Sequence, residues 1–353
     1  MTTHRRNRAN LLAGFTLIEI LIVIVIIGLL AGMTTTVVVS ARRSVNNSVV
    51  TAQMAQLSIA LEEYKNQFGE YPPDLSDPGA VTRHIKKRWP RYHVSYTEFL
   101  NQIALGCKIS SGRYGADTIL NPGDNLDDLD PRHVWKLGAP SESDPSVGSY
   151  ISSLVFWLGG LPDAQGVPSG FFASPKSPLG VTSNETPIRR PGRAQKEKPF
   201  YSFEKKFMEG FEYEGDPSSS SKIYYKLDRS SIGRDVVEYI PAYCQGGYPI
   251  LYFRPSVSFG YGAKSLRLSP SGDEGDLVSC AVPYAEGVNP DDPDEAIWYE
   301  EKRFQLIHPG SDGLFGSDDK SWRVVPIRVN ISPEDADNLT NFIDGGSLER
   351  LYD

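Results

Sequence analysis

The sequence predicts an α+β protein, in which one long N-terminal helix with an amphipathic outer half packs on an antiparallel β-sheet head with a large irregular insertion. An apolar stretch over residues 15–33 leads into a segment with an apolar residue every three or four positions. The C-terminal half holds short runs rich in β-branched and aromatic residues, separated by Gly and Pro. Residues 161–199, between these parts, are dense in Pro, Gly and Ser.

Composition excludes several classes of protein. The 353 residues are 40% hydrophobic and 23% charged, which is enough for a sizeable core and excludes a disordered chain. With 36 Lys and Arg against 44 Asp and Glu, the net charge is −8, so the basic surface of a nucleic-acid binder is not expected. Three scattered cysteines, Cys107, Cys244 and Cys280, are too few for a disulfide scaffold. Their pairing stays open.

The N-terminal residues predict a membrane-spanning helix. Residues 15–39 begin with 19 residues that are almost all apolar, a length that suits a bilayer. A polar leader over residues 1–14 carries Arg5, Arg6 and Arg8, which by the positive-inside rule keep the N-terminus in the cytoplasm. We therefore expect a single-pass protein of the inner membrane, with the rest of the chain on the far side of the lipid bilayer.

Polar and small residues interrupt this apolar stretch. Glu19 places a carboxylate inside the predicted span, where an ionised group costs a few kcal/mol. It either reaches back to the headgroups or meets a cation within the membrane. Gly28 and Gly32 have the G-x-x-x-G spacing that lets helices approach closely in lipid, unless the spacing is a coincidence.

The residues Gly14-Phe15-Thr16-Leu17-Ile18-Glu19 resemble the cleavage and methylation signature of type IV prepilins and type II secretion pseudopilins. The resemblance implies that a membrane-embedded prepilin peptidase cuts between Gly14 and Phe15 and methylates the new N-terminal Phe15. Cleavage creates an ammonium group, for which Glu19 of a neighbouring subunit is the natural counter-ion in a low-dielectric bundle. The chain departs from many pilins at Thr36, where the helix often carries Pro.

The predicted helix continues beyond the span. Its apolar positions alternate by four and three, which is typical of one helical face: Val50, Met54, Leu57, Leu61, Tyr64 and Phe68. This face is expected to pack on the protein's own head, or alternatively on a helix of another protein. Gly69 and Tyr71-Pro72-Pro73 end the helix. The predicted organisation is a leader over 1–14, a transmembrane helix over 15–39, its amphipathic continuation over 40–75 and a periplasmic head over 76–353.

Several elements are expected within the head. Residues 96–104 predict a helix, and residues 149–158 a buried helix or strand. Residues 161–199, with Arg189, Arg190 and Arg193, predict a surface excursion, whose basic cluster either meets an anionic partner or is simply solvated. Strands are predicted over 222–227, 236–243, 249–253, 277–282, 304–308 and 322–329.

Catalytic motifs are not found. The five histidines lack a metal-ligand spacing, and no Ser lies in G-x-S-x-G. We therefore do not expect an enzyme.

A loop over residues 309–319 offers hard oxygen donors between glycines, which suits calcium. It resembles the C-terminal calcium loop of major pseudopilins, in which a G-x-D-G turn precedes paired acids. The resemblance implies Asp312, Asp318 and Asp319 as ligands, with a backbone carbonyl near Pro309. A solvated Asp/Gly turn is the alternative. The tail helix that Pro333 begins would bring Asp337-Asn338 near this loop.

These observations favour a pseudopilin-like structural subunit that assembles into a periplasmic filament of type II secretion or of a type IV pilus-like system. The resemblance implies the prepilin peptidase, other copies and other pseudopilins, an inner-membrane assembly platform and the lipid bilayer as partners, and no nucleic acid. A minor tip pilin or adhesin is the alternative within the family. A membrane-anchored periplasmic enzyme or binding protein is the alternative outside it.

Overall fold

The computed structural model describes most of the long helix and much of the head. The described residues are 17–73, 78–96, 98–99, 102–103, 152–163, 167–181, 195–204, 208–215, 223–226, 236–239, 241, 249–255, 261, 266–269, 279–290, 292–316, 323–324, 333–343 and 346–351. The chain divides into two compact units, Met1–Val45 and Asn46–Asp353.

The first helix, α1, spans Leu17–Phe68 and runs without a break through Thr36. It ends where the sequence predicts, because Gly69 adopts a φ of 75°, a conformation that favours glycine. The Gly69 amide donates to the Lys65 carbonyl at 2.6 Å, which satisfies one of the last carbonyls of the helix. The continuous helix predicted from the sequence is confirmed.

Among the described residues, further helices with complete bounds are α2 (Pro78–Arg88), α3 (Ser152–Gly159) and α4 (Pro333–Ala336), and a 3-10 helix covers Leu348–Leu351. The predicted segments 96–104 and 149–158 contain helix, the second as α3. Helix α2 was not predicted. It begins with Pro and ends with three basic residues, both of which favour its termini.

Eleven strands lie in the described part of the chain: β1 (Met208–Gly215), β2 (Ile223–Lys226), β3 (Val236–Tyr239), β4 (Leu251–Phe253), β5 (Leu266–Ser269), β6 (Ser279–Ala281), β7 (Tyr284–Asn289), β8 (Asp292–Trp298), β9 (Gln305–His308), β10 (Arg323–Val324) and β11 (Leu339–Thr340). Each of the six predicted strand segments contains one of them. The mixed helix and sheet content agrees with the predicted α+β class.

The strands form three small sheets. Their orders are β3-β1-β2-β5-β6, β10-β7-β8 and β11-β9-β4. Most neighbours are antiparallel, as expected, and β2·β5 and β7·β10 are parallel. In the third sheet, β9 is central and pairs with β4 on one side and β11 on the other. This arrangement fixes the start of the loop that follows His308.

The predicted apolar face of α1 is buried in the head. Val50, Met54, Leu57, Leu61 and Tyr64 are each at most 1% exposed, whereas Ile59 on another face is 67% exposed. These side chains join one core cluster with residues of α2 and α3. The apolar face of the outer half of α1 therefore packs on the protein's own head, which was the first of the two alternatives that the sequence allows.

An aromatic group fills the centre of this core. The Trp157 ring of α3 lies 6.0 Å from that of Phe99, 4.9 Å from that of Phe156 and 6.1 Å from that of Trp89, centroid to centroid. Each of these rings is almost fully buried. The spacings suit edge-to-face and offset contacts between aromatic rings.

The prediction of a surface excursion over 161–199 is wrong for its first half. Phe171 and Phe172 are at most 3% exposed, and Leu161, Leu179 and Val181 are fully buried. The Phe171 ring packs 5.0 Å from that of Phe156, so this segment completes the core. Gly160 and Gly170 form a bridge so close that a Cβ on Gly160 would lie 2.4 Å from the Gly170 carbonyl carbon. The basic residues 189, 190 and 193 lie outside the described residues.

The sequence predicts a membrane span over 15–39. Within the described residues, no helix has both the length and the apolar character needed to cross a membrane.

Candidate functional site

The first turn of α1 carries the acidic residue of the N-terminal segment. Glu19 is exposed there, two residues after the helix begins at Leu17. A carboxylate is favoured at this end of a helix because the unpaired amides give it a partial positive charge. Gly14 and Phe15 lie outside the described residues.

An apolar surface follows Glu19 along the helix. The large apolar side chains from Leu17 to Leu30 are between 47% and 84% exposed. A Cβ added at Gly28 or Gly32 would meet no atom within 4 Å, so both glycines face open space. A contiguous exposed apolar surface of this kind is typical of contact with a membrane or another protein. Gly28 and Gly32 leave room on it for close approach.

The acidic loop, Pro309–Gly316 in its described part, leaves the central strand β9 through a tight turn. The Gly313 amide donates to the Pro309 carbonyl at 3.2 Å, and Gly310 and Gly313 have φ values of 62° and 76°. The Asp312 carboxylate is exposed and accepts the Leu314 amide through Oδ1 at 2.8 Å. The glycines thus let the chain turn back on itself around Asp312.

Two carboxylates from the C-terminal tail hold this loop. Asp337 Oδ2 accepts the Ser311 amide at 2.7 Å, the Ser311 hydroxyl at 2.6 Å and the Asp312 amide at 3.2 Å. Asp335 is buried, and its Oδ1 accepts the Gly316 amide at 3.1 Å. The structure therefore confirms the predicted position of Asp337 beside the loop.

The sequence predicts calcium ligands in this loop. Of the predicted calcium ligands, Asp312 is described, and Asp318 and Asp319 lie outside the described residues. In the described part of the chain, no group of three or more His, Cys, Asp or Glu side chains is arranged to hold a metal ion. Asp337 Oδ1 is buried there without a hydrogen-bond partner among the described residues, and a cation suits such an oxygen.

A buried polar network joins the end of α1 to α2. No sequence motif predicts it. The Tyr64 hydroxyl lies 2.6 Å from His84 Nε2, and His84 Nδ1 lies 2.8 Å from Glu70 Oε1. Arg88 donates to the Tyr64 oxygen at 2.7 Å. Tyr64 and His84 are fully buried, so this network fixes the helices rather than presenting a group to solvent.

The network changes the pKa of its members. The hydrogen bond from His84, with the charge of Arg254 nearby, lowers the pKa of Glu70 to about 2. Burial lowers the pKa of His84 below 6.5, against the opposing effect of Glu70. Acid therefore adds protons to the unfolded chain before the folded one, and stability is lost as the pH falls. The contribution of His84 to the free energy of unfolding decreases once the pH drops below 6.5. The contribution of Glu70 decreases as the pH drops from about 4.5 to about 2.

We predict that Glu70→Gln weakens both stability and its dependence on acid. At pH 7 the free energy of unfolding should drop by about 1–3 kcal/mol, because a charged hydrogen bond is lost. Between pH 5 and pH 3 it should then fall less steeply than in the wild-type protein. Urea unfolding across this pH range measures both effects. The exposed Glu63→Gln on α1 is the matched control, and equal slopes in the Glu70 variant and the wild type would contradict the assignment.

Comparison with known proteins identifies the N-terminal segment. Residues 13–35 match the prokaryotic N-terminal methylation motif. No curated protein and no solved structure matches the chain. The motif implies processing by a prepilin peptidase, anchoring of the N-terminus in a membrane and assembly with pilin-like subunits. The chain thus carries the prepilin-type signal of type IV pilins and pseudopilins.

Proposed function

We propose that this chain is a pseudopilin-like structural subunit of a periplasmic filament that serves type II secretion or a type IV pilus-like system. It is cleaved after Gly14, N-methylated at Phe15 and held in the inner membrane by one helix, with its N-terminus in the cytoplasm and its head in the periplasm. The methylation motif over 13–35, which covers the exposed apolar part of α1, carries this proposal.

Glu19 has an assembly role in this proposal. Cleavage leaves an ammonium group on Phe15, and a charge of this kind in a low-dielectric helix bundle is costly unless it pairs with an anion. Glu19 of the neighbouring subunit supplies the carboxylate, so the two groups neutralise each other on assembly. Gly28 and Gly32 let neighbouring helices approach closely.

The difference in burial between the two parts of α1 supports a pilin-like architecture. Its inner part, with Leu17 and Ile18 exposed, is free to contact lipid or other subunits, whereas its outer part is buried in the head through residues such as Leu57 and Leu61. One helix thereby serves as both anchor and core element.

We also propose that the loop after β9 binds calcium. Asp312, Asp318 and Asp319 would hold the ion together with a backbone carbonyl near Pro309. The ion would neutralise carboxylates that repel one another in its absence and so stabilise the folded head. The two tail carboxylates on the described part of the loop support this assignment, because they keep its backbone in place.

Filament isolation tests the proposed function. We expect the protein in sheared filaments from cells that contain a prepilin peptidase, and not from cells that lack it. A high copy number along the filament supports a major subunit. One or a few copies per filament would instead indicate a minor tip pilin, whose larger head crowds a helical array less at the tip. Normal localisation and no filament in either strain would contradict the proposal and favour an anchored enzyme or binding protein.

A further inference from the structure

Helix α2 presents basic side chains to solvent. The side chains that it turns towards the core recur every three or four positions and are Val81, His84, Ile85 and Arg88. The exposed basic residues between and after them are Arg83, Lys86, Lys87 and Arg91. We call these four exposed residues the basic surface.

The basic surface carries more positive charge than the helix itself requires. Cations in the last turn, such as Lys86 and Lys87, are favoured by the partial negative charge at the end of a helix. Arg83 precedes that turn and Arg91 follows the helix, so this effect does not account for them. Residues 78–97 contain five Lys or Arg and no Asp or Glu, although the net charge of the chain is −8. Positive charge is thus concentrated in one short segment of an acidic protein.

The hairpin formed by β7 and β8 has the opposite charge. Residues 284–301 contain seven Asp or Glu and no Lys or Arg. Glu286 in β7 and Glu301 after β8 are exposed, and Val288 and Ile297 are 42% and 46% exposed. Among the described strands, β8 lies at the edge of its sheet and pairs with β7. The acidic hairpin, residues 284–301, therefore offers a charged and partly apolar surface for contact.

We propose that the basic surface of one copy of this chain binds the acidic hairpin of a second copy. The proposal rests on the proposed filament, in which many copies meet. Within the head, α2 forms ion pairs through its inward side, from His84 to Glu70 at 2.8 Å and from Arg88 to Glu197 at 3.5 Å. The outward side has the charge that complements the hairpin, and opposite charges of this kind orient two partners as they meet.

Two different surfaces that bind each other make a head-to-tail contact. Such a contact leaves one surface of each kind open at the ends, so it repeats into an open filament unless the rotation between copies closes a ring. Each exposed ion pair contributes little by itself and is screened by salt. The contact therefore depends on several charges together and weakens as the salt concentration rises.

Cross-linking of sheared wild-type filaments with a carbodiimide tests which residues meet. This reagent joins a lysine amine to a carboxylate that already lies in contact with it. We expect cross-linked dimers whose peptides join Lys86 or Lys87 to a carboxylate of residues 284–301, and at least about tenfold fewer of them at 1 M salt, where the Debye length is about 3 Å. Dimers that join these lysines only to other segments, or no dimers through them, would overturn the proposal.

Charge reversal tests whether the contact matters for assembly. Lys86→Glu combined with Arg91→Glu places negative charge opposite the acidic hairpin, and we expect at least about tenfold fewer filaments. Lys176→Glu combined with Lys198→Glu is the control, because it changes the net charge equally at exposed residues outside α2. Its yield should stay within about threefold of wild type. Equal yields from the two variants would overturn a specific role for the basic surface.

The failure of the proposed function gives a different result. If wild-type cells that contain a prepilin peptidase form no filaments, the filament proposal is wrong. The same cross-linking on the purified full-length protein in detergent then decides about the contact alone. Dimers between Lys86 or Lys87 and residues 284–301 would still support it, and their absence at low salt would overturn it.

Discussion

Glu19→Ala is expected to abolish filament assembly while the protein is still inserted and cleaved after Gly14. In the proposed filament, loss of the carboxylate leaves the Phe15 ammonium of the neighbouring subunit without its counter-ion, and breaking such a buried pair typically costs about 3–5 kcal/mol. We expect the yield of sheared filaments to fall by about a hundredfold or more, since each 1.4 kcal/mol is a factor of ten. Immunoblots of filament and membrane fractions measure this yield.

The matched control is Glu63→Ala. It removes the same charge from an exposed position on the outer part of the same helix. Its filament yield should equal that of the wild-type protein. A normal yield from Glu19→Ala would show that pairing of Glu19 with the N-terminus does not drive assembly.

Trp157→Ala should produce the largest loss of stability in the head. The ring is fully buried among the rings of Trp89, Phe99 and Phe156, and its removal leaves a cavity in the middle of the core. Such truncations cost about 3–5 kcal/mol. Urea unfolding of the full-length protein in detergent, followed by circular dichroism, measures the change.

The control for this variant is Ile59→Ala on α1. Ile59 is 67% exposed, so the substitution removes an apolar side chain that contributes little to the core. Its effect should lie within about 0.5 kcal/mol. If Trp157→Ala also changed stability by less than about 1 kcal/mol, the aromatic group would not be the centre of the core.

The parts of the fold that follow a local rule were predictable. The spacing of the apolar residues from Val50 to Tyr64 indicated the buried face of α1, and Gly69 indicated its end. The segment that contains β4, in which every strand residue is aliphatic or aromatic, was also predictable as a strand. Strand β1 was missed because Gly and Glu alternate with its apolar residues, and its partners β2 and β3 decide its structure.

The rest depended on long-range packing. Buried residues of 161–181 lie among Pro, Gly and Ser, a composition that is typical of surface segments. Contacts with distant residues, such as those of Phe171 with Phe156 of α3 and with Trp89, make them part of the core. The same holds for the network of Tyr64, Glu70, His84 and Arg88, because these polar residues show no shared motif. In the candidate site, the sequence placed Asp312 on a loop and Asp337 nearby, but the hydrogen bonds that join them appear only in the fold.

The intact mass of the protein extracted from membranes of cells that contain a prepilin peptidase shows directly whether the chain is processed as a prepilin. We predict a single species that begins at N-methylated Phe15 and contains 339 of the 353 residues, and the uncleaved chain in cells without the peptidase. A mature protein that begins after Ala31 or Gly32 would indicate an ordinary signal peptide, and it would contradict the assignment of this chain as a prepilin-type subunit.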